Sequence, residues 1–416
     1  MTIARKAISL RQEHQGMLEV AAKAKLADRE DLSVIYTPGV AEPCKLIQQE
    51  KDRSFELTCR GNMVAVVSDG TRVLGLGDIG PEAALPVMEG KAVLFKVFGD
   101  IDAVPICLDT KDPAKIIETV RLLQPTFAGI NLEDLSSPKC YEIEDELKKI
   151  MDIPVMHDDQ HGTAIACVSA LIGALRFVKK DIRTARIVVN GAGAAGSAIA
   201  RLILSAGAEN LIVVDINGAL YAGMPGLNRI QEQLANSTNP AKQKGTLVDF
   251  AKGADVLLGV SGPGLFTQAI IASMGQDAIV FGMANPVPET TYQDAKDAGA
   301  RVVGTGRSDA PNQVNNVTVF PGVFRGAIDV RAKQINEAMK LAATYAIADL
   351  IRPEELREDY VVPNAFDPRV APAVAAAVAK AAMETGVARI TVDPETVRAN
   401  TAARIKRSQE RQKLYS

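Results

Sequence analysis

Apolar positions recur along this chain with two periods, and the two alternate. Residues 1–30 set Ile8, Val20 and Leu26 among charged positions at helical spacing, which predicts one or two amphipathic opening helices. Residues 34–36 then read as a short strand ending in Tyr36, and Pro38-Gly39 breaks into a helix. Further on, short valine- and isoleucine-rich runs predict strands over 64–67, 103–108, 126–130 and 153–156. Stretches of 3.6-residue period predict helices over 83–98, 113–123, 138–150 and 164–175. Strands that alternate with helices imply a parallel sheet. A second series starts at Arg186, with strands over 187–190, 211–214, 255–260, 278–282 and 301–304. Alanine-rich helices are expected within 323–350 and 370–385. Asp393-Pro394 reads as an N-cap and first-turn proline opening a charged helical tail to residue 416.

A chain of 416 residues is too long for one ordinary core, so two domains are expected, both α/β. The composition, 47 % hydrophobic and 23 % charged, is that of a globular protein. A formal charge of −3, without any basic aromatic-studded run, argues against nucleic acid or an anionic membrane as partner. The five cysteines are odd in number and form no C-x-x-C, which points to a reducing compartment and to core packing. The start carries no apolar signal-like core, and no uncharged apolar run approaches membrane-spanning length. A cytoplasmic enzyme is expected.

The candidate chemistry gathers at strand ends. His157-Asp158-Asp159-Gln160-His161-Gly162-Thr163 lies where one strand gives way to a helix, and Glu133-Asp134 follows the strand before it. Successive parallel strands place those ends on one edge of the sheet. Carboxylates converging there repel unless a cation separates them, and all-oxygen ligation favours Mg2+ or Mn2+. The rivals are zinc on His157 and His161, a solvated acidic rim, and Asp159 as a helix cap. Gly75, Gly77 and Gly80 match G-x-G-x-x-G, but no clean helix is expected before Pro81 and Pro86, so a tight ligand-approaching loop is the better reading. Arg72 at its start is a candidate carboxylate clamp. Lys91 falls on an apolar helix face. The pattern alone favours a snorkelling side chain over a buried base.

A second G-x-G-x-x-G has the context the first one lacks. Strand 187–190 enters Gly191-Ala192-Gly193-Ala194-Ala195-Gly196, a small-residue helix follows, and Asp215 ends the next strand about 20 positions on. The glycines let the pyrophosphate of a dinucleotide approach the helix N-terminus, and Asp215 accepts from the adenosine ribose hydroxyls. A carboxylate there repels a 2′-phosphate, which favours NAD, with NADP the other candidate. Asn285 sits at a further strand end on the same edge.

Tyr36-Thr37-Pro38-Gly39-Val40, the loop from Arg72 to Gly80, Glu89-Gly90-Lys91, Asn131-Leu132-Glu133-Asp134 and the stretch 157–163 together resemble the motifs of malic enzymes. So do Gly282-Met283-Ala284-Asn285-Pro286 and Asn315-Asn316-Val317, and the likeness runs in order from about residue 15 to about residue 330. The compact bacterial or archaeal form is the most similar in appearance. The resemblance implies oxidative decarboxylation of (S)-malate to pyruvate and CO2 with reduction of NAD(P)+, by a homodimer. It implies a substrate and metal domain over 1–160, a Rossmann-type dinucleotide domain over 161–385 and a helical tail over 386–416. It puts a divalent metal on Glu133, Asp134 and Asp159. Lys91 is implied as the base, kept neutral by the metal and Arg72, with Tyr36 as the acid and Asp158 beside the lysine. Arg72, Asn285 and Asn316 would hold the substrate, and Asn285 would also face the cofactor. Eukaryotic members have asparagine where His157 stands, and Ile216-Asn217 after Asp215 replaces a basic or serine-containing turn. The alternatives are an oxaloacetate decarboxylase of the citrate-fermentation type, a non-catalytic dinucleotide sensor and a zinc hydrolase.

Overall fold

The structure, a computed structural model, describes residues 2–413. The expected opening and closing helices include residues 1 and 414–416, which lie outside the described residues. The chain opens with α1 (Ile3–His14), α2 (Arg29–Ile35), α3 (Ala41–Gln49) and the single turn α4 (Ser54–Leu57). Residues 34–36 are not a strand. Asp28 caps α2 by accepting the Asp31 N–H, and Glu30 and Asp31 occupy its positive first turn, so capping overrides two β-branched residues. Tyr36 ends that helix.

A four-stranded parallel sheet follows. Its elements are β1 (Met63–Ser68), α5 (Pro81–Gly99), β2 (Asp102–Cys107), α6 (Pro113–Leu123), β3 (Gly129–Leu132), α7 (Lys139–Ile150) and β4 (Val155–His157). Spatial order is β2-β1-β3-β4, so the direction of winding reverses between β1 and β3. Such a switch point opens a crevice beyond the strand ends. Register pairs Val67 with Leu132 and Leu132 with His157, which levels the three strand ends. Helix α5 begins at Pro81, directly after Gly80, so the first glycine loop does lead into a helix. Proline at the first position is suited to that start.

α8 (Asp158–Val178) carries the chain to the second sheet. It is long and apolar enough to cross a membrane by length and composition, but Asp158, Asp159 and Arg176 interrupt any uncharged run of that length, and 78 % of its most apolar window is buried inside the protein. It is the central helix of a core, and it lies against α9 and the later α15. The second sheet is built from β5 (Ile187–Asn190), α9 (Ala194–Ser205), β6 (Leu211–Asp215), β7 (Gly218–Ala219), α10 (Arg229–Thr238), α11 (Leu247–Ala251), β8 (Val256–Gly259), α12 (Gln268–Ala272), β9 (Ile279–Gly282), α13 (Tyr292–Asp297) and β10 (Val302–Thr305). Its order is β10-β9-β8-β5-β6-β7, parallel except for the short edge strand β7, with the switch point between β5 and β8. This is a Rossmann-type sheet.

The remaining helices are α14 (Phe320–Asp329), α15 (Glu337–Ala348), α16 (Val370–Glu384) and α17 (Pro394–Gln412). They return to the first sheet. Phe320 and Phe324 of α14 pack on Phe95 of α5 with ring centroids 4.6 and 5.4 Å apart. Ser408 of α17 donates to the Lys96 carbonyl. All five cysteines are free, but only Cys140 and Cys167 are buried. Cys44 and Cys59 are exposed, so core packing does not account for them.

Candidate active site

The crevice at the first switch point is lined by buried charge. Glu133 and Asp134 leave the end of β3, and Asp158 and Asp159 form the first turn of α8 beyond β4. Asp134 has a left-handed backbone, φ 54°, which a non-glycine residue adopts at a cost. That turn aims its N–H at Asp159 Oδ2, 2.8 Å away. Gly162 lets α8 start so tightly: a Cβ there would stand 1.9 Å from Asp158 Oδ1.

Lys91 reaches this cluster from the middle of α5. It is 7 % exposed and does not snorkel. Its Nζ lies 2.6 Å from Asp158 Oδ2 and 3.0 Å from Glu133 Oε1, over the Phe320 ring at 4.3 Å. Burial works against the charged amine, but Asp158 and then Glu133 outweigh it and hold Lys91 above the ordinary lysine range. Without a cation, the carboxylates around this amine therefore favour its charged form. Asn316 donates to the same Asp158 oxygen at 2.5 Å.

One carboxylate oxygen from each of Glu133, Asp134 and Asp159 lies within 4.8 Å of the others. Burial, then repulsion from Asp159, raises Asp134 to about 7. Burial also pushes Glu133 well up, against the pull of Lys91 and with repulsion from Asp159 and Asp158. Asp134 Oδ2 and Asp158 Oδ1 are buried without a hydrogen bond. Buried carboxylate oxygens left unsatisfied at this spacing fit a hard divalent cation.

The histidines take no part in that ligand group. His157 Nε2 stands 3.0 Å from Asp159 Oδ2 as an ion-pair partner, and its backbone N–H donates to Glu144 Oε1 at 3.0 Å. His161 turns the other way. Its Nε2 lies 2.9 Å from Glu144 and its Nδ1 3.1 Å from Lys340 Nζ, an arrangement for the neutral ring. Burial, with Lys340 against the charged form, drives it down to about 3 despite Glu144. Glu144 was not among the sequence-derived candidates. It also accepts from Gln160 at 3.1 Å and so fixes the turn bearing Asp159. The available signal was an acidic residue at the helical spacing of the buried Cys140, Ile143 and Leu147.

Of the other candidates, Arg72 anchors its backbone N–H on the Asp134 carbonyl at 3.0 Å and leaves its side chain exposed at the crevice. The loop it begins meets the second sheet, since a Cβ on Gly75 would stand 2.4 Å from Pro286. Asn285, next to Pro286, thus lies against that loop, with its amide 3.5 Å from the Met283 carbonyl. Tyr36 is not brought into the cluster: it is 67 % exposed at the end of α2.

At the second switch point the loop from Gly191 to Gly196 runs from β5 into α9. A Cβ on Gly196 would stand 1.8 Å from the Gly191 carbonyl oxygen, so only glycine fits. A Cβ on Gly193 would meet nothing within 4 Å, which leaves open space before the N-terminus of α9, at Ala194 and Ala195. Asp215 ends β6 and accepts from the Ile216 N–H at 2.9 Å and from Gln231 at 3.5 Å. Glu289, also unforeseen, is fully buried and accepts from the N–H groups of Ser261 (2.7 Å) and Ala284 (3.0 Å). It thereby joins the loops after β8 and β9 and holds the turn that carries Asn285.

Comparison with known proteins agrees with this geometry. Residues 15–148 match the malic enzyme N-terminal domain, and residues 160–383 match the malic enzyme NAD binding domain. The chain is 56 % identical over 402 residues to the bifunctional malic/malolactic enzyme of Bacillus subtilis (strain 168), covering 96 % of this chain and 98 % of that one. It is 51 % identical over 374 residues to the NAD-dependent malic enzyme of Geobacillus stearothermophilus, covering 90 % and 78 %. The crystal structure of Entamoeba histolytica malic enzyme superposes with a TM-score of 0.95 at 41 % identity, covering 99 % of this chain and 88 % of that one.

Proposed function

The chain belongs to the malic enzyme family, and on that premise we propose how its residues divide the reaction. It oxidatively decarboxylates malate to pyruvate and CO2 with reduction of a nicotinamide dinucleotide. The single observation that carries the residue assignment is the buried Lys91–Asp158 pair beside three converging carboxylates. Residues 1–160 form the substrate and metal domain, 161–385 the dinucleotide domain and 386–416 the tail.

Glu133, Asp134 and Asp159 would hold Mg2+ or Mn2+. When bound, the cation acts as a Lewis acid on the substrate oxygens and offsets the carboxylate charge that keeps Lys91 protonated. Lys91, once neutral, takes the proton of the C2 hydroxyl, and Asp158 with Asn316 fixes its amine. Gly191–Gly196 and Asp215 would hold the dinucleotide, which would supply the acceptor for the C2 hydride. Arg72, Asn285 and Asn316 hold the malate carboxylates across the crevice. Loss of CO2 leaves its electron pair on C3, where Tyr36 supplies a proton. Lys91 has gained one proton and Tyr36 has given one, so the cycle balances once Lys91 releases its proton to water and the exposed Tyr36 takes one up. NAD is the expected cofactor, NADP its rival, and the active molecule is a cytoplasmic homodimer.

Malate-dependent reduction of NAD+ against NADP+, with Mg2+, Mn2+ or a chelator, tests this reading. Turnover should need the cation and should favour NAD+. Turnover indifferent to the chelator would remove the cation from it. The name of the Bacillus subtilis relative raises a second reading, conversion of malate to lactate. Scoring lactate beside pyruvate decides it. Decarboxylation of oxaloacetate without malate oxidation would favour the decarboxylase alternative.

A further inference from the structure

One buried carboxylate beside the crevice has no part in the chemistry above. Asp69 directly follows β1, is 1 % exposed and stands apart from the group Glu133, Asp134 and Asp159. Both of its oxygens are engaged. Oδ1 accepts from the Thr71 N–H at 3.1 Å and from the Thr71 hydroxyl at 2.6 Å, while Oδ2 pairs with Lys139 Nζ. Lys139 is the first residue of α7, where the helix dipole disfavours a cation, and no side chain caps that end. Helix formation therefore does not account for the lysine, whereas its carboxylate partner does.

Thr71 passes this anchorage on. Its hydroxyl donates to Asp69, and the same oxygen accepts the Ser136 N–H at 3.1 Å. The next residue, Arg72, donates its backbone N–H to the Asp134 carbonyl at 3.0 Å, and Glu133 donates its own to the Val67 carbonyl at 2.8 Å. The chain after β1 thus grips the chain after β3 on both sides of Asp134. A non-glycine residue at φ 54°, as Asp134 is, persists only where its surroundings over-determine it. The gripping loop is itself closed at its base, since the Ile79 N–H donates to the Gly70 carbonyl at 3.1 Å.

We propose that Asp69 and Thr71 are positioning residues that set the metal ligand Asp134 and the carboxylate clamp Arg72 as one unit. The charge on Asp69, balanced by Lys139, orients the Thr71 hydroxyl, and the oxygen of that hydroxyl holds the strained turn at Asp134. Loosening it disturbs a cation ligand and a malate-holding side chain together. The loop from Gly191 to Gly196, on the other sheet, is left as it was. A carboxylate that served the fold alone would give no such selective loss. The inference rests on the reading of Asp134 as a metal ligand and of Arg72 as a clamp.

The test compares Thr71→Val and Thr71→Ser with the wild type in the full chain. Valine removes the hydroxyl at nearly the same volume, and serine keeps it. With malate and dinucleotide absent, Thr71→Val should weaken Mn2+ binding by about tenfold in electron paramagnetic resonance, the range for a partner that orients a ligand. It should raise KM for malate more than it lowers kcat, and leave NADH affinity, read by fluorescence, unchanged. Thr71→Ser should restore both losses. Wild-type Mn2+ affinity in folded Thr71→Val would overturn the positioning role. So would an equal loss of NADH affinity that serine does not restore. If Thr71→Val does not fold, Asp69→Asn takes its place. It keeps the shape of the turn but removes the charge, and unchanged Mn2+ affinity there would overturn the role equally. Asp134→Asn tests the premise: if it binds Mn2+ as the wild type does, the ligand reading fails and the proposal falls with it.

Discussion

Asp134 and Glu289 are the same kind of group in the same kind of place, buried carboxylates beyond the ends of parallel strands, yet they are treated oppositely. Glu289 accepts two backbone N–H groups and staples the loops after β8 and β9. Asp134 keeps one buried oxygen with no hydrogen bond, sits on a left-handed backbone and is pushed up to about 7, by burial first and by Asp159 next. A satisfied buried carboxylate contributes to the fold, whereas an unsatisfied one stores a cost that a ligand relieves. The second sheet thus presents backbone and glycines at its switch point, and the first presents mismatched charge.

Breaking the charged cluster at its base should have the largest effect. Lys91→Ala is expected to lower malate turnover by ~10³-fold, the range for loss of a general base. Turnover within tenfold of the wild type would show the amine to be a structural counter-ion. Next comes the satisfied carboxylate. Glu289→Ala should cost about 3 kcal/mol in denaturant unfolding, since two buried N–H groups lose their acceptor. A midpoint that does not move would erase the contrast with Asp134.

Asp134→Asn should move stability the other way. The cation-free protein gains about 1 kcal/mol from relief of repulsion, while its affinity for Mn2+, read by electron paramagnetic resonance, falls at least ~10-fold. The pH dependence sharpens the same point. The folded pKa of Asp134 is raised, so between its ordinary 3.8 and about 7 the folded state binds the extra proton. Its stabilising contribution is therefore complete below about 4 and is lost as pH rises through about 7. Asp134→Asn should flatten that slope in cation-free melting curves, and an unaltered slope would place the titration elsewhere. The smallest change is expected at the second sheet: Asp215→Ala should shift the NAD+ to NADP+ preference by about tenfold toward NADP+, measured as the ratio of kcat/KM values.

The charged cluster is legible in the sequence because its members lie within short, local signals. Glu133-Asp134 and Asp158-Asp159 each follow a valine- or isoleucine-bearing strand, and the loop from Gly191 to Gly196 has its strand, helix and acidic partner in line. Residues 34–36 resemble a strand in their β-branched content, which the Asp28 cap overrides. The apolar helix face around Lys91 favours a snorkelling side chain, since a helix pattern does not tell which groups another element brings to it. Glu144 and Glu289 had no chemical neighbour in sequence at all.

By itself the sequence determined the α/β alternation, the two glycine loops, the strand ends at which carboxylates stand and the family to which they belong. Those features depend on periodicity, turn chemistry and spacing, which are local. Only the tertiary structure decided that Lys91 is buried between Asp158 and Glu133, that His161 turns away from the carboxylates to Glu144 and Lys340, and that Tyr36 stands clear of its own crevice. Each depends on the distance between residues far apart in the chain, and on the water excluded from between them, which set the strength of every charge in the site.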